Sequence, residues 1–136
     1  MKAKATYSVK KWEESPIREI SGTTKITKAS VVYQLSGDLD GNASVEYIMF
    51  YRHFDPKDQH NSLASYVGLI HFQGSILGKS GAFAMDDTGT FEAGMANSRL
   101  RILDGSGTEE LKGIHGNGFY LADKDGFRLE LDCDFR

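Results

Sequence analysis

Gly126-Phe127-Arg128-Leu129-Glu130-Leu131-Asp132-Cys133-Asp134-Phe135-Arg136 decides how this chain folds. Phe127, Leu129, Leu131, Cys133 and Phe135 alternate with Arg128, Glu130, Asp132, Asp134 and Arg136. Successive side chains of a strand point to opposite faces, so this spacing makes a strand with one dry and one wet side. The preceding Asp123-Lys124-Asp125-Gly126 is a hairpin signal whose glycine is free to take positive φ.

The same period of two recurs upstream. It predicts strands over residues 3–13, 23–36, 43–54, 63–76, 80–87, 89–103, 114–122 and 126–135. Gly37-Asp38-Leu39-Asp40-Gly41-Asn42 and Gly78-Lys79-Ser80-Gly81 read as hairpin connections, so neighbouring strands pair in chain order. Asp55-Pro56-Lys57-Asp58-Gln59-His60-Asn61-Ser62 is a polar connection long enough to overhang a barrel mouth. Only Gly107-Thr108-Glu109-Glu110-Leu111-Lys112-Gly113 has helical character, a turn or so with Thr108 as N-cap. With no longer helical period, βαβ folds are excluded. Many long strands without obvious edge protection favour an all-β, closed antiparallel barrel of about eight strands, with a two-sheet sandwich as the alternative. No repeat or linker divides residues 1–136, which are expected to form one domain.

The totals agree with a packed domain and narrow its partners. An apolar share of 40% and an aromatic share of 11% argue against disorder. Sixteen basic and nineteen acidic residues, scattered to a net charge of -3, offer no stripe for phosphate backbones, so nucleic acid is not an expected partner. The first residues lack the apolar stretch of a secretory leader, and the longest apolar run, Tyr47 to Tyr51, is too short to cross a bilayer. A cytoplasmic protein without membrane partners is expected. The single cysteine, Cys133, cannot make an intrachain disulfide, which fits a reducing compartment.

Motifs for cofactors fail on spacing or context. Gly74-Ser75-Ile76-Leu77-Gly78-Lys79-Ser80 has three residues between its glycines and a strand after its lysine, where a phosphate loop needs four and a helix. Gly113-Ile114-His115-Gly116-Asn117-Gly118 lacks the strand-turn-helix setting of a dinucleotide site. His53, Asp55, Asp58 and His60 match no ligand module, and Asp38, Asp40 and Asn42 lack the length and final glutamate of a calcium loop. No metal or cofactor is expected. Cys133, on a dry face, reads as a small hydrophobe rather than a nucleophile.

Polar residues inside apolar strands carry more information. In Val45-Glu46-Tyr47-Ile48-Met49-Phe50-Tyr51-Arg52 neither alternate set is simply wet, which suggests lumen on one side, a subunit interface on the other, and a homo-oligomer. Glu46 then enters the lumen or sits at an interface edge, paired with Arg52 or a base on a neighbouring strand; the alternative is an exposed or paired surface glutamate. His71 shares a face with Val67 and Leu69 and reads as a core histidine or an acid-base group. Tyr33 projects a hydroxyl from the face it shares with Val31 and Leu35. Tyr33, Glu46, Tyr47 and His71 are the candidate ligand-binding residues, and no residue is assigned as catalytic. An eight-stranded barrel has room for one small ligand, with residues 55–62 as a lid, so an apolar or lipid-like ligand is the leading expectation. The alternatives are a filled barrel serving as an oligomerisation module, and a non-hydrolytic isomerase, cyclase or lyase using Glu46 or His71.

Lys28-Ala29-Ser30-Val31-Val32-Tyr33, Ser44-Val45-Glu46-Tyr47, Val67-Gly68-Leu69, Phe72-Gln73-Gly74, Lys79-Ser80-Gly81-Ala82-Phe83, Gly89-Thr90-Phe91-Glu92 and Gly105-Ser106-Gly107-Thr108, in this order and spacing, resemble the bacterial domain-of-unknown-function family 3224 over nearly the whole chain. That family is similar in fold to allene oxide cyclase, an eight-stranded barrel whose lumen binds a fatty-acid-derived substrate. The resemblance implies a barrel and a lumen for an apolar small molecule, not cyclase activity. Relatives often carry an acid where this chain has Ile70 and a histidine where it has Asp87, so no catalytic assignment is carried across.

Overall fold

The computed structural model describes residues 1–58 and 61–136. Eight strands make up the fold: β1 (Lys2–Ser21), β2 (Thr24–Gly37), β3 (Leu39–His53), β4 (Leu63–Ile76), β5 (Lys79–Glu92), β6 (Met95–Ile102), β7 (Ile114–Asp123) and β8 (Gly126–Phe135). Each pairs antiparallel with its neighbour in the chain, and β8 returns to β1, closing the barrel. No helix among the described residues is long and apolar enough to cross a membrane.

Three stretches differ from the sequence expectation. Residues 39–42, expected in the connection after β2, already belong to β3. The first strand does not stop near residue 13 but pairs with β2 as far as Ser21, with register shifts after Val9, Pro16 and Glu19. Only Lys2–Thr6 of β1 pair with β8, so beyond them β1 is an edge strand. An edge tolerates a proline, whose missing N–H costs no ladder bond on the open side, and this is why Pro16 does not end the strand. The third difference is the turn expected near residue 88. Asp86-Asp87-Thr88-Gly89 looks like turn punctuation, yet it lies within β5, and the chain reverses at Ala93-Gly94, with φ of 53° and 77°.

One end of the barrel is filled. Leu35, Leu39, Phe72, Ile76, Phe83, Met85 and Ile114 are almost completely buried there, with the Phe72 and Phe83 rings 5.3 Å apart. Burying such a side chain contributes roughly 1.5–3 kcal/mol. Leu111, from the short 3₁₀ turn Glu109–Leu111, adds a fully buried plug. Thr108 precedes this turn without capping it through its side chain; instead its Oγ1 accepts the Ala82 N–H at 3.0 Å and its own N–H donates to Ala82 O at 2.9 Å. The connection is thereby tied to β5 across the end of the barrel.

The ring closes with a stagger. Paired residues run from Glu14 to Ala29, Tyr47, Gly68, Asp87, Leu100, Gly118 and Leu131, and return to β1 at Ala3. Tilted strands in a closed sheet require such an offset. Its consequence here is that the far half of β1 projects beyond β8, beside the unfilled end of the lumen.

A polar floor beneath an aromatic cavity

Strand alternation sends Tyr33 from β2, Tyr47 from β3, Tyr66 from β4, Asp87 from β5, Ser98 from β6 and Tyr120 from β7 into the lumen, where all are buried. Gly68 lies opposite both Tyr47 and Asp87. The Tyr47 ring occupies the space over that glycine: a Cβ on Gly68 would meet Tyr47 Cδ1 at 2.6 Å. Tyr47 thus crosses β4 and donates its hydroxyl to Asp87 Oδ2 at 2.8 Å.

Further hydroxyls extend this bond into a network. Tyr47 Oη lies 3.3 Å from Tyr33 Oη and 3.0 Å from Tyr120 Oη. Tyr120 donates to Tyr66 at 3.1 Å, and Tyr66 Oη lies 2.6 Å from Ser98 Oγ. Asp87 Oδ1 has no hydrogen-bond partner among the described residues. Burial pushes the Asp87 carboxyl up from 3.8 to about 6, against the pull of the Tyr47, Ser98 and Tyr120 hydroxyls, with Asp86 adding to the rise. Burial likewise holds the Tyr33, Tyr47, Tyr66 and Tyr120 hydroxyls above the usual tyrosine value, so they keep their protons at neutral pH. The floor can therefore accept a proton at Asp87, beside hydroxyls that stay protonated.

Above this floor is a cavity of about 530 Å³, lined by Tyr7, Trp12, Tyr33, Tyr47, Tyr66 and Tyr120 among others. That volume is within the range of small-molecule sites. Tyr51, Phe54 and Phe91 extend its aromatic wall. On the overhanging part of β1, Glu14 Oε2 accepts from Thr27 Oγ1 at 2.6 Å and from Tyr51 at 2.9 Å, while Oε1 accepts from Trp12 Nε1 at 3.0 Å. Lys25 also lines the cavity, with Nζ 3.4 Å from the centroid of the Phe54 ring. From the long β3–β4 connection, Phe54 and Ser62 reach the lining.

The structure separates the sequence candidates. Tyr33 and Tyr47 are brought together at the floor. Glu46 and His71 are exposed on the outside of the barrel, which corrects any lumen role for either and the reading of His71 as a core histidine. On β3 the inward set is Val45, Tyr47, Met49 and Tyr51, which turns Glu46 outward, where it accepts from Ser30 Oγ at 2.5 Å instead of pairing with Arg52. On β4 the inward set is Tyr66, Gly68, Ile70 and Phe72, and His71 goes outward together with Val67 and Leu69. A strand apolar on both faces does not announce which set is inside, and the register settles it. His53 Nδ1 lies 3.2 Å from Thr23 Oγ1, Asp55 Oδ1 accepts the Lys57 and Asp58 N–H groups, and His60 lies outside the described residues. Cys133 is buried, as its position on the dry face of β8 predicts, and burial pushes its thiol up.

The floor also contains residues the sequence did not single out as a site. Asp87 was hidden by the misplaced turn; once β5 is extended to Glu92, Phe83, Met85, Asp87 and Phe91 share a face. Tyr66 and Tyr120 had the alternation to be found, but nothing local connects them to a carboxylate on another strand.

A family described as a protein of unknown function (DUF3224) matches residues 3–135. The chain belongs to the DUF3224 family. A crystal structure of a DUF3224 protein with unknown function from Shewanella oneidensis MR-1 superimposes with a TM-score of 0.76, covering 100% of this chain and 97% of that one at 17% identity. At that identity the likeness is one of fold: the DUF3224 barrel is common to both. No curated protein matches the chain.

Proposed function

We propose that this DUF3224 barrel binds an apolar or lipid-like small molecule in the unfilled half of its lumen. The observation that carries the reading is a cavity of about 530 Å³, walled by aromatic rings and floored by a connected set of hydroxyls over Asp87. Apolar walls with few, placed polar groups are what a ligand site needs, since the walls supply affinity and the polar groups orientation. The fold likeness to allene oxide cyclase that the sequence resemblance implies is in keeping with a lumen site, without its reaction. Native mass spectrometry of gently purified protein tests the reading: a retained adduct that Ala96→Trp displaces by filling the lining supports it. If no adduct is retained and screening finds no saturable ligand sensitive to that substitution, the reading fails.

Self-association is a second reading, supported by the outer face. Ile48 and Val67 are opposite each other there, with Phe50 and Leu69 beside them, and all four are between 39% and 58% exposed. Such a strip fits a homo-oligomer contact. An isomerase, cyclase or lyase is a third, with Asp87 as its acid-base group in place of Glu46 and His71, since a carboxyl near 6 is suited to proton transfer at neutral pH.

A further inference from the structure

We infer that the lumen selects an organic cation, an aromatic or aliphatic body carrying a protonated amine, whose ammonium group is directed at the tyrosine floor over Asp87. The inference rests on the ligand-binding reading and names its ligand class. It follows first from counting protons. Tyr33, Tyr47, Tyr66, Tyr120 and Ser98 carry one hydroxyl proton each, and the floor has five contacts to fill, four between hydroxyls and one to Asp87. As placed, Tyr47 donates to Asp87 and Tyr120 to Tyr66, which leaves the contact between Tyr47 and Tyr120 without a proton. Neither oxygen has a proton left for the other, so lone pairs of Tyr47 and Tyr120 face each other across 3.0 Å, in want of a donor. That pair of oxygens offers its lone pairs to a donor.

Charge and ring geometry point the same way. Asp87 has no ion-pair partner among the described residues, and its Oδ1 accepts no hydrogen bond there. Its neighbour Asp86 is paired with Arg101 on the outside. Glu14 adds a carboxylate in the lining itself, and Lys25, the one cation of the lining among the described residues, is already seated over the Phe54 ring. Trp12 and the tyrosines of the lining are of the ring types whose quadrupole attracts ammonium groups.

Isothermal titration of the full chain at pH 8 with 4-phenylbutylamine, 4-phenylbutanol and 4-phenylbutanoate varies the head group on one apolar body. The amine is expected to bind at least tenfold more tightly than the alcohol, with the carboxylate weakest, and Asp87→Asn to bring the amine down to the level of the alcohol. Equal or tighter binding of the alcohol or carboxylate, abolished by Ala96→Trp, overturns the cation inference while leaving the lumen site standing. Absence of binding by all three overturns the inference, and the lumen reading is then decided separately by the retained adduct. The head-group comparison needs only the unaltered chain, so it decides the matter even where Asp87→Asn does not fold.

Discussion

Tyr47 and Gly68 face each other across β3 and β4, and the tyrosine ring fills the place a side chain on Gly68 would take. The glycine is thus the reason Tyr47 reaches a carboxylate two strands away. Gly68→Ala puts a Cβ at 2.6 Å from both the Tyr47 ring and the Glu46 carbonyl oxygen, and the backbone contact cannot be relieved by a rotamer change. Overpacking of this kind costs about 1–3 kcal/mol. Denaturant unfolding of Gly68→Ala is expected to show a loss of that size. A stability equal to that of the unaltered chain contradicts the close approach.

Burial of Asp87 links stability to pH. Its folded value, about 6, is above the ordinary 3.8, so the folded state takes up the proton at higher pH than the unfolded chain. The penalty from this group is fully present above the folded value and is relieved as pH falls from about 7 towards 4. At one unit per 1.36 kcal/mol the span corresponds to about 3 kcal/mol. Asp87→Asn is expected to raise stability at pH 8 by up to that amount and to remove this part of the rise between pH 7 and 4. Parallel stability curves for the two proteins over that window contradict the assignment.

How far this site was legible differs residue by residue. The β8 alternation was plain because its two faces differ in polarity, and it fixes the inward position of Leu129, Leu131 and Cys133. β3 and β4 carried apolar residues on both faces, so Glu46 and His71 were as eligible for the lumen as Tyr47 and Tyr66 until the register was known. Asp87 was obscured by its own neighbourhood, since Asp-Asp-Thr-Gly is turn chemistry wherever tertiary packing does not override it. The floor is assembled from six strands, and contacts of that separation leave no local spacing to read.

Trp12 is the only tryptophan of the chain and lines the cavity from the edge part of β1, 45% exposed. Its emission is expected to be partly red-shifted in the free protein and to move to the blue when an apolar ligand covers it. Steady-state fluorescence during titration checks this. A saturable ligand that leaves the emission unchanged is bound elsewhere.

The outer strip gives the last prediction, and it separates assembly from the lumen. Ile48 and Val67 form a cross-strand pair on the outside, with Val67 53% exposed, so a charge there disturbs no interior packing. If copies associate through this strip, Val67→Glu places a desolvated charge in the contact, or one repelling its twofold mate, and either is strongly unfavourable. Sedimentation velocity is expected to show an oligomer for the unaltered chain and a monomer for Val67→Glu, with unchanged unfolding of the barrel and unchanged Trp12 emission. A unaltered chain that is monomeric at high concentration removes the strip as a self-contact. An oligomer that survives Val67→Glu moves the contact elsewhere, and the free edge of β1 beyond Thr6 is then the next surface to mutate, because its unpaired backbone groups can extend a sheet between copies.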